Sequence, residues 1–210
     1  MERPARESRI SRRSWLLAGL TAPLFSARAA EPMKVSFDGD TLHVAAPSLH
    51  FLDGKPLERL KDGDVVAYVT QLELLDESRT LLLRQLKGRF VVSYALWEEK
   101  FSVTLLGNSP GTPPRVAEGL SAASAEAWCV ESLALSATGL APNLFYWLRF
   151  QLRTGTPRDL TEDSRAGISI PGLIELLSRK NTETTQWGPL EARVRLADLP
   201  RPAGRGPRIG

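Results

Sequence analysis

The feature that most constrains this fold is an alternation of apolar and other side chains with a period of two. It is clearest over 144–153, where the even positions are Leu, Tyr, Leu, Phe and Leu. Because successive side chains of a β-strand point to opposite faces, this stretch predicts a strand with one buried face. The same reasoning predicts further strands over 41–46, 64–75, 81–97, 101–106 and 190–196.

Connections and helices complete the predicted architecture. The strands over 81–97 and 101–106 are close enough in sequence to form a hairpin, and Gly88 near the middle of the first predicts a bulge or bend. Helices are predicted after Ser121, a suitable N-cap, and over 171–180, which opens with a proline. We therefore expect a mainly β fold: an antiparallel β-sandwich, or a one-sided sheet covered by two short helices.

Length and cysteine content bound the domain organisation. The chain has 210 residues, of which 42% are hydrophobic, and we expect 30–200 to form a single β-rich domain around one core. Cys129 is the only cysteine, so an intramolecular disulfide cannot form. The segment 201–210 contains three glycines and two prolines and is predicted to be a disordered basic tail.

The first 29 residues have the pattern of a signal peptide. A basic leader precedes a short apolar stretch, and Ala27 and Ala29 are suitable small residues for cleavage after Ala29. Arg12 and Arg13, followed by Ser-Trp-Leu-Leu, resemble the twin-arginine export signal of bacteria. We therefore expect a periplasmic or secreted protein with no membrane span after signal cleavage.

Removing this leader changes the charge of the chain. The full sequence has 27 basic and 24 acidic residues, but 1–29 contains six arginines and two glutamates, which leaves 21 against 22. The mature chain is therefore close to neutral. Binding to phosphate backbones requires an excess of lysine and arginine, so we expect no nucleic-acid partner.

One short motif resembles a catalytic site, but its context excludes it. Residues 107–111 match the G-x-S-x-G pattern of a serine-hydrolase nucleophile elbow, with Ser109 as the nucleophile. That elbow must open directly into a helix, whereas here two prolines follow at once. The required histidine should also follow the serine, and both histidines precede it. We predict a loop and no catalytic residues.

Metal and thiol chemistry are also not predicted. His43 and His50 could bind copper with Met33 or Asp53, but two histidines without a third ligand at fixed spacing are weak evidence. Cys129 is predicted to be a buried, inert thiol. The acidic residues at 159, 162 and 163 lack the spacing of a calcium-binding loop, so we expect no metal and no cofactor.

The odd positions of 144–153 form a candidate interaction patch. Phe145, Trp147 and Arg149 share one face of the predicted strand, and aromatic residues beside arginine are typical of interaction hot spots when exposed. The alternative is that this face is covered by a helix while the other packs on the opposing sheet. We favour the covered arrangement, because large apolar groups are seldom left exposed.

The run RFVVSYALWEEKFSV over 89–103 resembles a segment of an uncharacterised family of exported bacterial proteins, a domain of unknown function. This resemblance extends over 42–153. It implies a signal or anchor followed by one strand-rich domain, and it supplies no catalytic residues.

These patterns favour a non-enzymatic exported domain that binds or scaffolds an unknown protein or small ligand in the periplasm. One alternative is a metal-carrying or hydrolytic enzyme with a site built from scattered Asp, Glu and His residues. Another is a small-molecule or lipid binder, which predicts an apolar pocket between the sheets.

Overall fold

The structure is a computed structural model that describes residues 33–107, 112–156, 159 and 184–201. These residues form two antiparallel sheets and two helices, which confirms the predicted mainly β, sandwich-like fold. The elements in chain order are β1 (Lys34–Asp38), β2 (Thr41–Ala45), α1 (Gly54–Lys61), β3 (Val66–Leu75), β4 (Leu82–Ala95), β5 (Lys100–Leu105), β6 (Arg115–Leu120), α2 (Ala122–Glu131), β7 (Ala134–Ser136), β8 (Phe145–Thr154) and β9 (Gln186–Arg195).

The larger sheet has six strands in the order β6-β5-β4-β3-β8-β9. All neighbouring strands are antiparallel, and β3 pairs along most of its length with both β4 and β8. The predicted hairpin between 81–97 and 101–106 is confirmed, since β4 and β5 meet at the pair Ala95 and Lys100. This sheet therefore has two broad faces, and successive residues of β3 and β8 point alternately to one face and the other.

The smaller sheet has the order β1-β2-β7 and packs on one face of the larger sheet. A continuous core joins both sheets and both helices. The largest fully buried side chains are Tyr68, Phe51, Phe90, Phe150, Leu42, Leu60, Leu72, Leu74, Leu133, Leu148 and Leu152. Burial of this apolar area is the main stabilising contribution to the fold.

Of the two features predicted at Gly88, a bulge or a bend, the bulge is contradicted. The β3–β4 ladder passes regularly through the pair Thr70 and Gly88, and its register shifts instead between Leu74 and Leu75. A Cβ atom at Gly88 would lie 2.5 Å from Thr70 Oγ1 and 2.7 Å from Leu133 Cδ2. Glycine is therefore required here by close packing against the core rather than by a bulge.

The predicted helix after Ser121 is confirmed as α2. Ser121 Oγ accepts a hydrogen bond from the Ser124 N–H at 3.2 Å, as expected for an N-cap. Helix α1 was not predicted, because glycine and proline are both unfavourable in the interior of a helix and Gly54 and Pro56 lie close together here. Pro56 lies in the first turn, where its missing N–H has no helical acceptor. The predicted helix over 171–180 lies outside the described residues.

Three short strands were also missed: β1, β6 and β7. In addition, β9 begins at Gln186, four residues before its predicted start. Pro189 lies within this strand, where it is tolerated because β9 is at the edge of the larger sheet. The signal residues Arg12, Arg13, Ala27 and Ala29 and the segment 202–210 lie outside the described residues.

Candidate interaction surface

The candidate patch lies on the face of the larger sheet that points away from the core. In β8, Tyr146, Leu148 and Phe150 are buried, whereas Phe145, Trp147 and Arg149 on the opposite face are half-buried. A cover by a helix was the favoured expectation for this face, but both described helices pack in the core, so neither of them covers the patch. We call this region the arginine–aromatic surface and define it by Glu73, Glu77, Arg79, Phe145, Trp147, Arg149, Glu191 and Arg193.

Both aromatic rings of this surface stack with arginine. The guanidinium carbon of Arg79 lies 3.4 Å from the centroid of the Trp147 ring, and that of Arg193 lies 3.9 Å from the Phe145 ring. Such contacts contribute about 0.5–1 kcal/mol each at exposed sites. They also restrict the motion of two large side chains that would otherwise be held only by the strand backbone.

The arginines of the surface are paired with carboxylates. Arg149 Nε donates to Glu191 Oε1 at 2.8 Å, and its Nη1 lies 3.8 Å from Glu73 Oε2. Arg79 reaches Glu191 at 3.2 Å, and Arg193 Nη2 donates to Glu77 at 2.5 Å. Since three arginines are matched by three glutamates, the surface carries little net charge and is stiffened by a network rather than by isolated ion pairs.

The turn between β3 and β4 holds Arg79 above Trp147. Asp76 Oδ1 accepts hydrogen bonds from the N–H groups of Thr80 and Leu81 at 2.9 and 3.0 Å. The hydrogen bond from Ser78, together with these backbone contacts, lowers the pKa of Asp76. Arg79 has φ 63°, a left-handed conformation that favours glycine. The contacts of its side chain with Trp147 and Glu191 offset the cost of that conformation.

This arrangement is suited to binding by contact. The half-exposed rings supply flat apolar area, and the arginines supply directional hydrogen-bond donors whose positions are already fixed. Tryptophan and arginine are enriched among residues that dominate protein–protein affinity. A pre-ordered surface also loses less conformational entropy when a partner binds.

A buried carboxylate that the sequence analysis missed lies on the core side. Glu126 of α2 is only 6% exposed, and its Oε1 accepts hydrogen bonds from the N–H groups of Phe51 and Leu52 at 2.7 and 2.8 Å. Its Oε2 lies 3.0 Å from His50 Nδ1. Glu126 therefore anchors the loop before α1 to α2. The available signal was an acidic residue next to the apolar stripe of Ala125 and Cys129.

The two histidines lie in different elements of the structure and have different neighbours. His50 is exposed and pairs with Glu126, whose hydrogen bond and charge raise the pKa of the imidazole above its usual value. His43 lies in β2, opposite Ser36 in β1 and Ala134 in β7. Met33 is buried in the core. Among the described residues no group of three or more His, Cys, Asp or Glu side chains is placed to hold a metal ion.

The predicted burial of Cys129 is confirmed. Its side chain is fully buried in α2, and burial, with a smaller effect of Glu126, raises the pKa of the thiol far above its ordinary value. The thiolate is the reactive form, so this cysteine is inert near neutral pH.

Two other motifs lie partly outside the described residues. Ser109 belongs to the undescribed segment 108–111. At Gly107, just before this segment, a Cβ atom would clash with the Thr112 carbonyl oxygen. In the acidic loop, Asp159 accepts hydrogen bonds from Arg153 and Thr156, and the Arg153 contact holds the pKa of that carboxyl well below its usual range. Asp159 therefore has a local structural partner, while 162 and 163 are outside the description.

The region between the sheets is occupied by side chains from both sides. Leu42 and Val44 of the small sheet share one cluster with Tyr68, Phe90 and Phe150 of the large sheet, all between 0 and 2% exposed. The tight contacts around Gly88 lie in the same region. The described residues therefore provide no observation that favours a lipid pocket at this position.

Comparison with known proteins gives no relative: no family model, curated protein or solved structure matches the chain. The resemblance of 89–103 to an exported bacterial family therefore stays a prediction. Among the described residues, no helix is both long and apolar enough to cross a membrane.

Proposed function

We propose that this chain is an exported, non-enzymatic domain that binds or scaffolds a partner protein through the arginine–aromatic surface. The observation that carries the proposal is the half-exposed Trp147 ring, held under the Arg79 guanidinium at 3.4 Å. An indole that is neither buried nor free to rotate is suited to an anchor in a partner's pocket.

The position of this anchor within the fold supports the same function. Trp147 lies in β8, which is hydrogen-bonded to β3 on one side and β9 on the other. Its backbone is therefore fixed by a paired strand on each side, within a six-stranded sheet, rather than by a loop. A contact residue on such an element keeps its position on binding, so little ordering entropy opposes association.

Export itself is a prediction from the leader and requires its own test. We expect replacement of both Arg12 and Arg13 by lysine to block the twin-arginine route, because that signal depends on the arginine pair. Cell fractionation would then show precursor in the cytoplasm for the variant and mature protein in the periplasm for the unchanged chain. Equal periplasmic amounts of both would contradict a twin-arginine signal.

Partner binding is best tested by site-specific photo-cross-linking in exporting cells. A photoreactive phenylalanine analogue at position 147 should give a discrete cross-linked species, since this ring would lie within the interface. Trp97 offers a matched control because it is also a tryptophan, lies in the β4–β5 turn and is 100% exposed. The proposal fails if position 147 gives no product, or if position 97 gives the same products.

The competing enzymatic and metal-carrying functions have a direct measurement. Protein purified from the periplasm would be analysed for bound metal ions by mass spectrometry. A stoichiometric ion would favour the metal-carrying alternative, because the scaffold proposal includes no metal site.

A further inference from the structure

A concave surface lies beside the smaller sheet, and none of its lining residues belongs to the arginine–aromatic surface. It is a groove of about 900 Å³ that runs along β1 and the adjoining part of β2. Glu131 and Ser132 at the end of α2 line it, as do Pro200 and Arg201. This volume suits a short peptide segment rather than a single ion.

Two of the three side chains in the middle of the outward face of the smaller sheet, Ser36 and Ala134, are small. Ser36, His43 and Ala134 are opposite one another across the three strands, so they share one face. That face is directed away from the core, because the neighbouring Leu42 is fully buried on the other side. A ligand chain can therefore approach the sheet closely at this point.

The edge of β1 offers unpaired main-chain groups to such a ligand. The Phe37 N–H donates to the Pro200 carbonyl oxygen at 2.9 Å, so the main chain of Phe37 is directed away from β2. Val35, two residues earlier, has the same orientation because main-chain groups alternate along an antiparallel strand. Within the described part of the chain, no partner occupies this outward edge at Val35.

The charges around the groove differ from those of the arginine–aromatic surface. Its rim carries three cationic and two acidic side chains, and the described residues contain no ion pair that involves any of them. These side chains are Lys34, Arg115, Arg201, Asp38 and Glu131. An excess of unpaired positive charge at the rim favours a ligand with net negative charge.

We propose that this groove binds an extended peptide of net acidic character, which adds to the edge of β1 as a further strand. Hydrogen bonds to the main chain of Val35 supply the register, and the rim cations select acidic side chains. The proposal goes beyond the partner binding assigned above, because it concerns a separate surface and a different kind of ligand. Either proposal can fail without the other.

The test uses the full mature chain and two fluorescent octapeptides, one of alternating glutamate and valine and one of alternating lysine and valine. Fluorescence anisotropy should show the acidic peptide binding about tenfold more tightly than the basic one. Val35→Pro removes the outward N–H, which an edge strand tolerates, and should weaken acidic-peptide binding about tenfold. Val35→Ala keeps the N–H and should change binding by less than about twofold.

A second probe covers the case in which Val35→Pro does not fold. The acidic octapeptide with alternate main-chain nitrogens methylated cannot pair as a strand, although its charge is unchanged. It should bind the unchanged protein about tenfold more weakly than the unmethylated peptide. Equal binding of the methylated and unmethylated acidic peptides, or no binding of either, would overturn the proposal. Equal affinity of the proline and alanine variants for the acidic peptide would also overturn it. Sedimentation that depends on protein concentration and is lost in Val35→Pro would also overturn it, because it would assign the edge to a second copy.

Discussion

The two faces of the larger sheet are built from the same strands but are stabilised in different ways. On the core face, Leu72 of β3 and Phe150 of β8 are paired neighbours and are at most 1% exposed. On the outward face, Glu73 and Arg149 are paired in the same strands and remain partly exposed. Successive residues of the same strand thus contribute alternately to a hydrophobic core and to a charged surface. The stability of this fold therefore depends mainly on the core face, and we expect substitutions on the outward face to cost little.

Adjacent substitutions in β8 provide the sharpest test of this difference. Leu148→Ala should lower the free energy of unfolding by about 3–4 kcal/mol, because it leaves a cavity in a fully buried region. Trp147→Ala removes a larger side chain but should cost about 1 kcal/mol, mainly the stacking with Arg79. Urea denaturation of both variants measures the two values. Similar losses would contradict the division into a core face and a surface face.

The buried carboxylate of Glu126 tests whether polar groups, like apolar ones, contribute more to stability in the core than at the surface. Glu126→Ala should cost about 2–3 kcal/mol, since the N–H groups of Phe51 and Leu52 would lose their acceptor in a buried region. Glu131→Ala, at the exposed end of the same helix, is the control and should stay within about 0.5 kcal/mol of the unchanged chain. Equal effects would mean that Glu126 is not an anchor.

The stacking of Arg79 on Trp147 can be isolated by comparing two turns. Arg79 and Glu99 both have positive φ, 63° and 53°, so glycine should relieve about 1 kcal/mol of backbone cost at each. Glu99→Gly should therefore stabilise the protein, whereas Arg79→Gly should be nearly neutral because it also removes the contacts with Trp147 and Glu191. Thermal unfolding of both variants gives the comparison, and an equal gain would mean that the contacts of Arg79 with Trp147 and Glu191 contribute nothing.

The smallest expected effect is the pH dependence of the pair formed by His50 and Glu126. The folded-state pKa of His50 is raised, so its contribution to stability is complete below the unfolded value near 6.5 and is lost as the pH rises through the folded value. His50→Ala should therefore lower the Tm more at about pH 5.5 than at about pH 9. A constant difference in Tm between these conditions would show that proton binding does not link His50 to folding.

The contrast between the core face and the outward face of the larger sheet also explains how much of the fold could be predicted. Core-facing strands were predictable because burial imposes a period of two, as in Tyr146, Leu148 and Phe150. The strand β1 was missed although Val35 and Phe37 alternate with polar residues before the turn at Gly39, because five residues are too few to distinguish a strand from a loop by period alone. Pro56 concealed α1, since a proline is compatible with a helix only in its first turn. The sequence does not define the start of a helix closely enough to place Pro56 there.

The candidate surface was predicted only in part. The shared face of Phe145, Trp147 and Arg149 follows from strand geometry alone. Its partners do not, because Arg79 and Glu191 approach from distant parts of the chain and their pairing depends on strand order. The same applies to Glu126, whose acceptor role is defined by a loop 75 residues away in sequence.

The hydrogen bond between Phe37 and Pro200 has a consequence for chain connectivity. It places Pro200, close to the end of the described residues, beside Phe37 of β1, the first described strand. We therefore expect that a short linker could join the two ends of the described domain. The β4–β5 turn at Trp97 is exposed and lies in a local hairpin. A circularly permuted chain with new termini in that turn would therefore keep every strand pair of both sheets, although β5 would then precede β1 in sequence.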